Sequence, residues 1–264
     1  MNFWGHLEVL RWVLIRCLVV VFGLAVAVFC FKDFVFEGII LAPCCSDFIT
    51  YRAMCWLGNA VGIAGLCPAI GEIEMININL SSQLMTHLSV SVYLAAVVAM
   101  PYLITEAWLF VKPALYNKER RVAKLAVTAF FFQFFLGLAL SYFLIFPLTY
   151  NFLGNYQVSE RIVNQISLSS YISTFMGLLL TMGLVFEMPV VAYFFARIGV
   201  LKSKLLSKYR KVAVVLTLVL AAFITPSTDV FTMCLVALPL YLLYEFSVRV
   251  VRRVERGMER RVLG

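Results

Sequence analysis

The chain has 264 residues, of which 63% are apolar and only 14% are charged. A soluble domain of this size carries about 25% charged residues, so the composition excludes one. The net charge of +8 does not indicate nucleic-acid binding, because 19 of the 22 Lys and Arg residues group at the termini or between long apolar stretches. Such stretches must satisfy their own backbone hydrogen bonds, so the sequence predicts an all-α integral membrane protein.

Six apolar stretches approach the roughly 20 residues that a helix needs to cross a bilayer. They are residues 13–32, 84–111, 122–148, 171–196, 212–224 and 230–248. The positive-inside rule places both termini in the cytoplasm, together with the basic clusters at 112–124 and 197–211. We therefore predict one multi-pass, six-span domain over residues 1–264. No small-residue cleavage site follows the first span before Lys32, so we expect that span to be retained.

The loop at 33–83 contains a seventh apolar segment, residues 53–70. If this segment crossed the membrane, the basic clusters at 112–124 and 197–211 would face outward, against the charge rule. Its glycines, with Asn59 and Pro68, also weaken a helix. We therefore assign the whole of 33–83 to an exported-side loop that packs over the bundle or lies in the membrane interface.

Four of the seven cysteines lie in this exported-side loop. They are Cys44, Cys45, Cys55 and Cys67. That side of the membrane is oxidising, so a disulfide, for example between Cys55 and Cys67, is one interpretation. Small packed residues are the other, because spacing does not reveal connectivity. No CxxC pair occurs and His87 stands alone, so we expect no metal site.

The fifth stretch, residues 212–224, ends at Thr225 and Pro226. At about 1.5 Å per residue it reaches roughly 20 Å, short of a hydrocarbon layer of ~30 Å. The turn at 225–229 leads directly into the sixth span. We expect the last two spans to be short, with a locally thinned bilayer, unless residues 209–211 extend the fifth helix and snorkel.

Glu187 lies inside the fourth span, two residues before Pro189. A charged carboxylate in the bilayer costs roughly 3 kcal/mol, so such a residue usually faces a bundle interior or a wet cavity. Its functional interpretations are a proton site, a substrate contact or a polar patch on a concave face. The structural interpretation is a carboxyl bonded to a neighbouring helix, for example to Gln133. Glu106 and Glu245 lie nearer span ends, where we expect them to reach interfacial water.

Few acids stand among the bases on the predicted cytoplasmic side. They are Glu8, Glu119, Glu255 and Glu259. Asn117 is a predicted N-cap, which places Glu119 in the first turn of the third span. There the carboxylate either balances the helix dipole beside Arg120 or holds a guanidinium ligand through two parallel hydrogen bonds.

Four stretches, in this order across six spans, resemble one known family. They are Phe3-x-x-His6-Leu7-Glu8-x-Leu10-Arg11; Trp108-Leu109-Phe110-Val111-x-Pro113-Ala114-Leu115-Tyr116-x-x-Glu119-Arg120-Arg121; Phe186-Glu187-Met188-Pro189-Val190; and Thr225-Pro226-x-x-Asp229-x-Phe231 followed by Leu238-Pro239 and Tyr244-Glu245. They resemble TatC, the receptor subunit of the twin-arginine protein translocase, over nearly the whole chain.

The resemblance implies a glove-shaped six-helix bundle with a concave face. Such a protein recognises folded precursors by an N-terminal signal with two adjacent arginines. It would assemble into an oligomeric complex with single-span TatA- and TatB-type partners, and the proton motive force would drive transport without a cofactor. The fifth helix would contact the TatB-type partner.

The resemblance also implies roles for individual residues. At the cytoplasmic surface, Glu119 would bind the arginines of the signal beside Phe110. Glu8, Arg11 and Arg120 would complete that site. Glu187 would be the intramembrane carboxylate on the concave side. Two exported-side positions would match as well, a proline at the start of the cap and an acid in the last hairpin; these are Pro43 and Asp229.

The N-terminal stretch departs from the family pattern His-Leu-x-Glu-Leu-Arg. The expected acid is replaced by Val9, while Glu8 is its neighbour. A second basic residue, two positions after Arg11, is replaced by Val13. Because a helix turns about 100° per residue, either Glu8 rotates into the role or this part of the arginine site is weakened.

Two other functional classes are weaker fits. A six-span protease would need a buried Ser with a His base on a neighbouring helix, but the chain has only His6 and His87, both near span ends. A proton-coupled secondary transporter would use Glu187 as carrier, but the two halves of the chain show no evident repeat. No GxxxxGK[ST] motif occurs, so we expect a binding and translocation module and not an enzyme.

Overall fold

The structure is a computed structural model that describes residues 3–45, 47–61, 75–111, 120–157, 159, 164–225 and 229–262. Within these residues the α-helices, in chain order, are α1 (Phe3–Cys30), α2 (Lys32–Val35), α3 (Ile49–Val61), α4 (Ser82–Val111), α5 (Arg120–Leu140), α6 (Phe146–Asn155), α7 (Leu168–Val185), α8 (Met188–Arg197), α9 (Ser203–Lys208), α10 (Arg210–Ile224) and α11 (Val230–Val262). Two short strands, β1 (Met75–Ile76) and β2 (Ile166–Ser167), pair in parallel. The predicted all-α fold is confirmed.

Six stretches of the described residues are long and apolar enough to cross a membrane. Five of them match predicted spans; these are Leu7–Cys30, Ser82–Phe110, Val127–Asn155, Leu168–Arg197 and Val230–Met258. α11 continues to Val262, well beyond the predicted end of the sixth span at residue 248. Its last turns are rich in Arg and Glu, which are good helix formers, so the helix persists past the apolar stretch.

The sixth apolar stretch, Lys32–Ala60, differs from the prediction, which assigned residues 33–83 to a loop. It is not one continuous helix, because a π-helical turn at Phe36–Ile40 and a 3₁₀ turn at Ala42–Cys44 interrupt it. In contrast, the predicted fifth span corresponds to α10, which has only 15 residues. At 1.5 Å per residue α10 measures about 22 Å.

The chain divides into two compact units. Unit 1 comprises Met1–Phe131 and Tyr150–Met176, and unit 2 comprises Phe132–Thr149 and Gly177–Gly264. The boundaries fall inside α5, α6 and α7, so neither unit is one continuous segment of the chain. The organisation of the chain as a single domain stays a prediction.

In unit 1, α1 packs against α4. Arg16 of α1 lies beside Glu106 of α4, and Phe29 stacks on His87 with ring centroids 4.0 Å apart. Residue numbers rise along α1 as they fall along α4, so the two helices are antiparallel. Much of α1 stays exposed, and the exposed side chains are apolar, for example Phe22. Such a surface is suited to contact with lipid.

Two tyrosine hydroxyls in unit 1 bind backbone carbonyls at the interruption between α2 and α3. Tyr51 donates to the carbonyl oxygen of Pro43 at 3.1 Å, and Tyr171 donates to that of Ile40 at 2.6 Å. Both bonds are buried, where a carbonyl without a partner would cost about 1–3 kcal/mol. These bonds fix the irregular turn to α3 and α7. The pairing of β1 with β2, which directly precedes α7, adds a second connection between these two parts of the chain.

In unit 2, α11 packs against α8, α9 and α10. The buried side chains of α10 are small or polar and recur at every fourth residue, at Ala213, Thr217 and Ala221. At one end of this helix pair, Arg210 Nε lies 3.0 Å from Glu245 Oε1, and Arg210 Nη2 donates to Oε2 at 3.0 Å. Glu245 therefore forms a two-point ion pair with a neighbouring helix, which its position near a span end does not reveal.

Candidate functional site

Three residues of the predicted arginine site lie within the described part of unit 1. Glu8 and Arg11 are exposed in the first turns of α1, and Phe110 is half-buried in the last turn of α4. The antiparallel register set by Arg16 and Glu106 places these turns at the same end of the helix pair. Glu8, Arg11 and Phe110 therefore lie at one end of the α1–α4 pair, and their role in an arginine site stays a prediction.

The remaining members of the predicted arginine site stay predictions. Glu119 lies outside the described residues, as does the side chain of Arg120, the first residue of α5. Val9, where the resemblance expects an acid, is 40% exposed, and Glu8 is exposed beside it. The side chains at positions 8 and 9 point about 100° apart around the helix axis. The carboxylate of Glu8 therefore points in a different direction from an acid at position 9.

A buried carboxylate lies close to this end of unit 1. Glu106 is only 7% exposed, so the prediction that it reaches interfacial water is wrong. It accepts a hydrogen bond from the Tyr102 hydroxyl at 2.8 Å, and Arg16 Nη1 lies 3.9 Å from its Oε1. The partners come from two helices whose register the sequence does not reveal. The pair balances a charge inside an otherwise apolar span, as is usual for ionisable groups in membranes.

Glu187 lies where α7 gives way to α8 in unit 2. The amide of Glu187 donates to the carbonyl of Leu184 at 3.1 Å, three residues back, and Pro189 has no N–H to continue the α-helical pattern. This local tightening marks the break between α7, which ends at Val185, and α8, which begins at Met188. The residue is 4% exposed, and neither carboxylate oxygen has a hydrogen-bond partner among the described residues.

The hydrogen bond to Gln133, which was one of the interpretations of Glu187, does not form. The reason is the packing of α5 against α7. Phe134, the residue after Gln133, has its ring carbon Cε2 2.8 Å from the position that a Cβ on Gly183 would occupy. Adjacent residues on a helix point about 100° apart, so with Phe134 against α7 the Gln133 side chain takes another direction. Gln133 is half-buried on α5.

Gly137 makes the close approach of these helices feasible. A Cβ at this position would lie 2.8 Å from the carbonyl oxygen of Met182 and 2.8 Å from Cβ of Phe186. Neither atom is the end of a flexible side chain, so the backbone itself would have to move. Small residues at such contacts allow membrane helices to pack closely.

Gly137→Ala is therefore expected to destabilise the protein by about 1–3 kcal/mol, because it overpacks the contact beside Glu187. Thermal unfolding of the purified protein in detergent measures the effect. Gly177→Ala is the matched control, since a Cβ at Gly177 meets nothing within 4 Å. Equal melting temperatures for the two variants would contradict the close helix contact.

Pro43 and three cysteines of the predicted exported-side loop, Cys44, Cys45 and Cys55, lie within the described part of unit 1. Pro43 is buried in the 3₁₀ turn. Cys44 and Cys45 are free thiols, whereas Cys55 is disulfide-bonded. Cys67 lies outside the described residues, so its pairing with Cys55 stays a prediction. Across the described ranges, no group of three or more His, Cys, Asp and Glu residues is arranged to hold a metal ion.

Asp229 caps the first turn of α11. Its Oδ1 accepts the Thr232 amide at 2.8 Å, and its Oδ2 accepts the Thr232 hydroxyl. The carbonyl oxygen of Asp229 also accepts the amide of Met233 at 3.1 Å. This is the N-cap arrangement, which satisfies amides that the first helical turn would otherwise leave without partners. A structural role accounts for an acid at this position.

Asp229→Ala is expected to lower stability by about 1 kcal/mol, because the first turn of α11 loses its cap. Asp229→Asn keeps a side-chain acceptor and should stay close to the unchanged chain. Hydrogen exchange at the first turn of α11, together with thermal unfolding, measures the difference. If Asn and Ala were equally destabilising, the charge and not the cap would be the important property.

Several known proteins are similar to this chain along most of its length. The family model described as Sec-independent protein translocase protein (TatC) matches residues 5–239. TatC of Blattabacterium sp. subsp. Periplaneta americana is 32% identical over 250 residues, which cover 94% of each chain. TatC of Desulforapulum autotrophicum is 34% identical over 247 residues, which cover 93% of this chain and 82% of its own.

Solved structures agree with the sequence matches. A crystal structure of the twin-arginine translocase receptor TatC superposes with a TM-score of 0.70 at 28% identity, covering 95% of this chain and 99% of its own. A second one, in DDM, has a TM-score of 0.72 at 28% identity and covers 93% and 98% of the two chains. Family, relatives and fold all lead to one assignment: this multi-pass membrane protein belongs to the TatC family of Sec-independent protein translocase proteins.

Proposed function

We propose that this chain is the receptor subunit of a twin-arginine translocase. It binds folded precursors through an N-terminal signal with two adjacent arginines and nucleates the translocation complex, which the proton motive force drives. The observation that carries the proposal is the match to the twin-arginine translocase receptor TatC over 95% of this chain and 99% of that one. The same match gives no support to a proton-coupled secondary transporter.

The orientation follows from the charges. Both termini lie in the cytoplasm, as do the basic clusters at 112–124 and 197–211, because cytoplasmic flanks carry the excess of Lys and Arg. The signal site then lies at the cytoplasmic end of the α1–α4 pair. Glu119 binds the signal's guanidinium groups there, Phe110 contacts the signal beside it, and Glu8 contributes further negative charge.

Two further basic residues shape this signal site. Arg11 is exposed one turn after Glu8, and Arg120 follows Glu119 directly. Each base adds positive charge next to a carboxylate of the site. A signal with two arginines must overcome this repulsion, which favours bidentate guanidinium binding over a single lysine contact.

Glu8 has its own test, because the family's acid is absent at Val9. Glu8→Lys is expected to weaken signal binding about tenfold, since it replaces one favourable charge interaction with a repulsive one. Crosslinking of a twin-arginine precursor to the purified protein measures it. Unchanged crosslinking would remove Glu8 from the site. Asp33→Lys, on the predicted exported side, is the control for a change in net charge.

Glu187 supplies a polar group within the membrane that no described residue satisfies. We assign it to contact with a membrane-inserted part of a substrate or partner. Burying an ionisable residue inside a span costs free energy, so such a residue generally marks a pathway or a binding site for a substrate or an ion. The break at Pro189 places this carboxylate at the point where the helix tightens.

The outer face of α10 is suited to a single-span TatB-type partner. Its buried stripe of Ala213, Thr217 and Ala221 is occupied within unit 2, whereas Val215 and Phe223 are 60% and 85% exposed. An apolar helix of a partner can pack on this exposed surface through side-chain contacts. TatA-type partners and further copies of this chain complete the oligomeric complex.

Co-purification of the full chain with a twin-arginine precursor and the single-span partners tests the proposal. The complex should form with the native signal and be lost when both signal arginines are replaced by lysine, because lysine cannot make the bidentate bond. Equal recovery of the two precursors would contradict the proposed receptor function.

A further inference from the structure

A cavity of about 730 Å³ lies within unit 2, between the end of α8, the segment leading into α9, and the last turns of α11. Four basic side chains line it: Lys202, Lys204, Arg252 and Arg256. All four are exposed, and Glu255 is the one acid among the lining residues. The cavity is therefore positively charged and open.

A hydrogen bond holds the two sides of this cavity together. The carboxylate of Glu255 accepts the backbone amide of Ser203 at 2.8 Å, and Ser203 is buried. Ser203 lies between the two lysines, and Glu255 lies between the two arginines in sequence. Arg252 also donates to the Ser207 hydroxyl at 3.4 Å. The bond from Ser203 thus fixes the segment that contains Lys202 and Lys204 against α11, and it occupies an oxygen of the Glu255 carboxylate.

Apolar side chains also line the cavity. Leu201, Ala196 and Met258 line it together with the bases. Phe195 and Ile198 are next to the lining residues Ala196 and Gly199 in the chain, at or just after the end of the span Leu168–Arg197, and are 43% and 56% exposed. The site therefore joins a cationic cavity to an exposed apolar surface at the end of a membrane-spanning helix.

We propose that this cavity binds the phosphate-bearing headgroup of an anionic phospholipid, with the acyl chains against the exposed end of α8. Lys and Arg side chains would bind a free phosphate as well as the phosphodiester group of a lipid. The adjoining apolar surface and the position at the end of a span favour the lipid, since basic pockets beside membrane helices bind anionic headgroups. This cavity shares no residue with the predicted arginine site, and the proposal does not depend on the signal-receptor function.

Native mass spectrometry of the delipidated full chain in detergent tests the proposal. Cardiolipin and phosphatidylglycerol should bind more tightly than phosphatidylethanolamine, whose headgroup has no net charge. Arg252→Gln with Arg256→Gln should weaken binding about thirty-fold, since each base near the membrane surface contributes about a fivefold factor. No preference for the anionic lipids would overturn the proposal.

The matched control removes the same charge from the same helix. Arg249 and Arg253 are exposed on α11 but do not line the cavity, so Arg249→Gln with Arg253→Gln should leave the affinity close to that of the unchanged chain. Equal weakening by both pairs would show diffuse attraction to the membrane and would overturn the site. Displacement of the lipid by millimolar inorganic phosphate would overturn the assignment to a headgroup.

A third variant keeps the test independent of folding. Glu255→Gln retains an oxygen that can accept the Ser203 amide and removes the one negative charge of the lining. It should therefore tighten anionic-lipid binding about fivefold. Weaker binding by this variant, with an unchanged melting temperature, would contradict the electrostatic basis of the proposal.

Discussion

Glu119→Gln is expected to abolish export of a strict twin-arginine reporter and to weaken signal binding by about ten- to a hundredfold. The amide has nearly the shape of the carboxylate but no charge, so it loses the charge-assisted bonds to guanidinium groups, which are worth about 1.5–3 kcal/mol. Membrane levels of the variant should stay normal. Binding measured with the purified protein, and export measured in cells, together check the expectation.

Two controls separate a site effect from a general one. Glu37→Gln removes an exposed acid on the predicted exported side and should leave both binding and export unchanged. Glu119→Asp keeps the charge on a shorter side chain and should retain part of the binding. Full export by Glu119→Gln would remove Glu119 from the arginine site, while the family assignment would stand.

Glu187→Leu is expected to raise thermal stability and to reduce transport. The carboxylate is 4% exposed and has no described hydrogen-bond partner, so an apolar side chain of similar size removes an unsatisfied group worth about 1–3 kcal/mol. Residues kept for function commonly reduce stability in this way. Thermal unfolding in detergent and export of a twin-arginine reporter give the two readouts.

Glu106→Leu is expected to have the opposite effect on thermal stability. Glu106 is similarly buried at 7% exposed, but Tyr102 donates to it at 2.8 Å and Arg16 lies 3.9 Å away. Its replacement should lower stability, because it leaves a hydroxyl and a guanidinium group without their partner. If both variants were destabilised to the same degree, Glu187 would be structural, and its proposed functional role would be wrong.

Much of the architecture could be predicted from the sequence. The apolar stretches located five of the six long spans, and the sequence placed the carboxylate of Glu187 inside the fourth predicted span. Asp229 with Thr232 also fits an N-cap pattern that local sequence can reveal. These features depend on composition or on neighbours in the chain, which periodicity and spacing report directly.

Contacts that depend on how separate helices align with one another could not be predicted from the sequence. Arg16 with Glu106, and Arg210 with Glu245, meet only because separate helices align at those levels. Likewise, Phe134 and not Gln133 lies against α7, which a single residue of rotation decides. The interruption of Lys32–Ala60 by irregular turns was missed because carbonyls there are bound by Tyr51 and Tyr171, the latter far along the chain.

The most direct test of the receptor function is photocrosslinking from position 110, where the structure places a half-buried Phe at the end of α4. A photoreactive side chain at Phe110 should crosslink to the signal of a twin-arginine precursor. The crosslink should disappear with a twin-lysine signal and in the Glu119→Gln background. The same probe at the exposed Trp56 of α3 should give no signal crosslink. Equal crosslinking of twin-arginine and twin-lysine precursors at Phe110 would contradict the proposed recognition of the arginine pair.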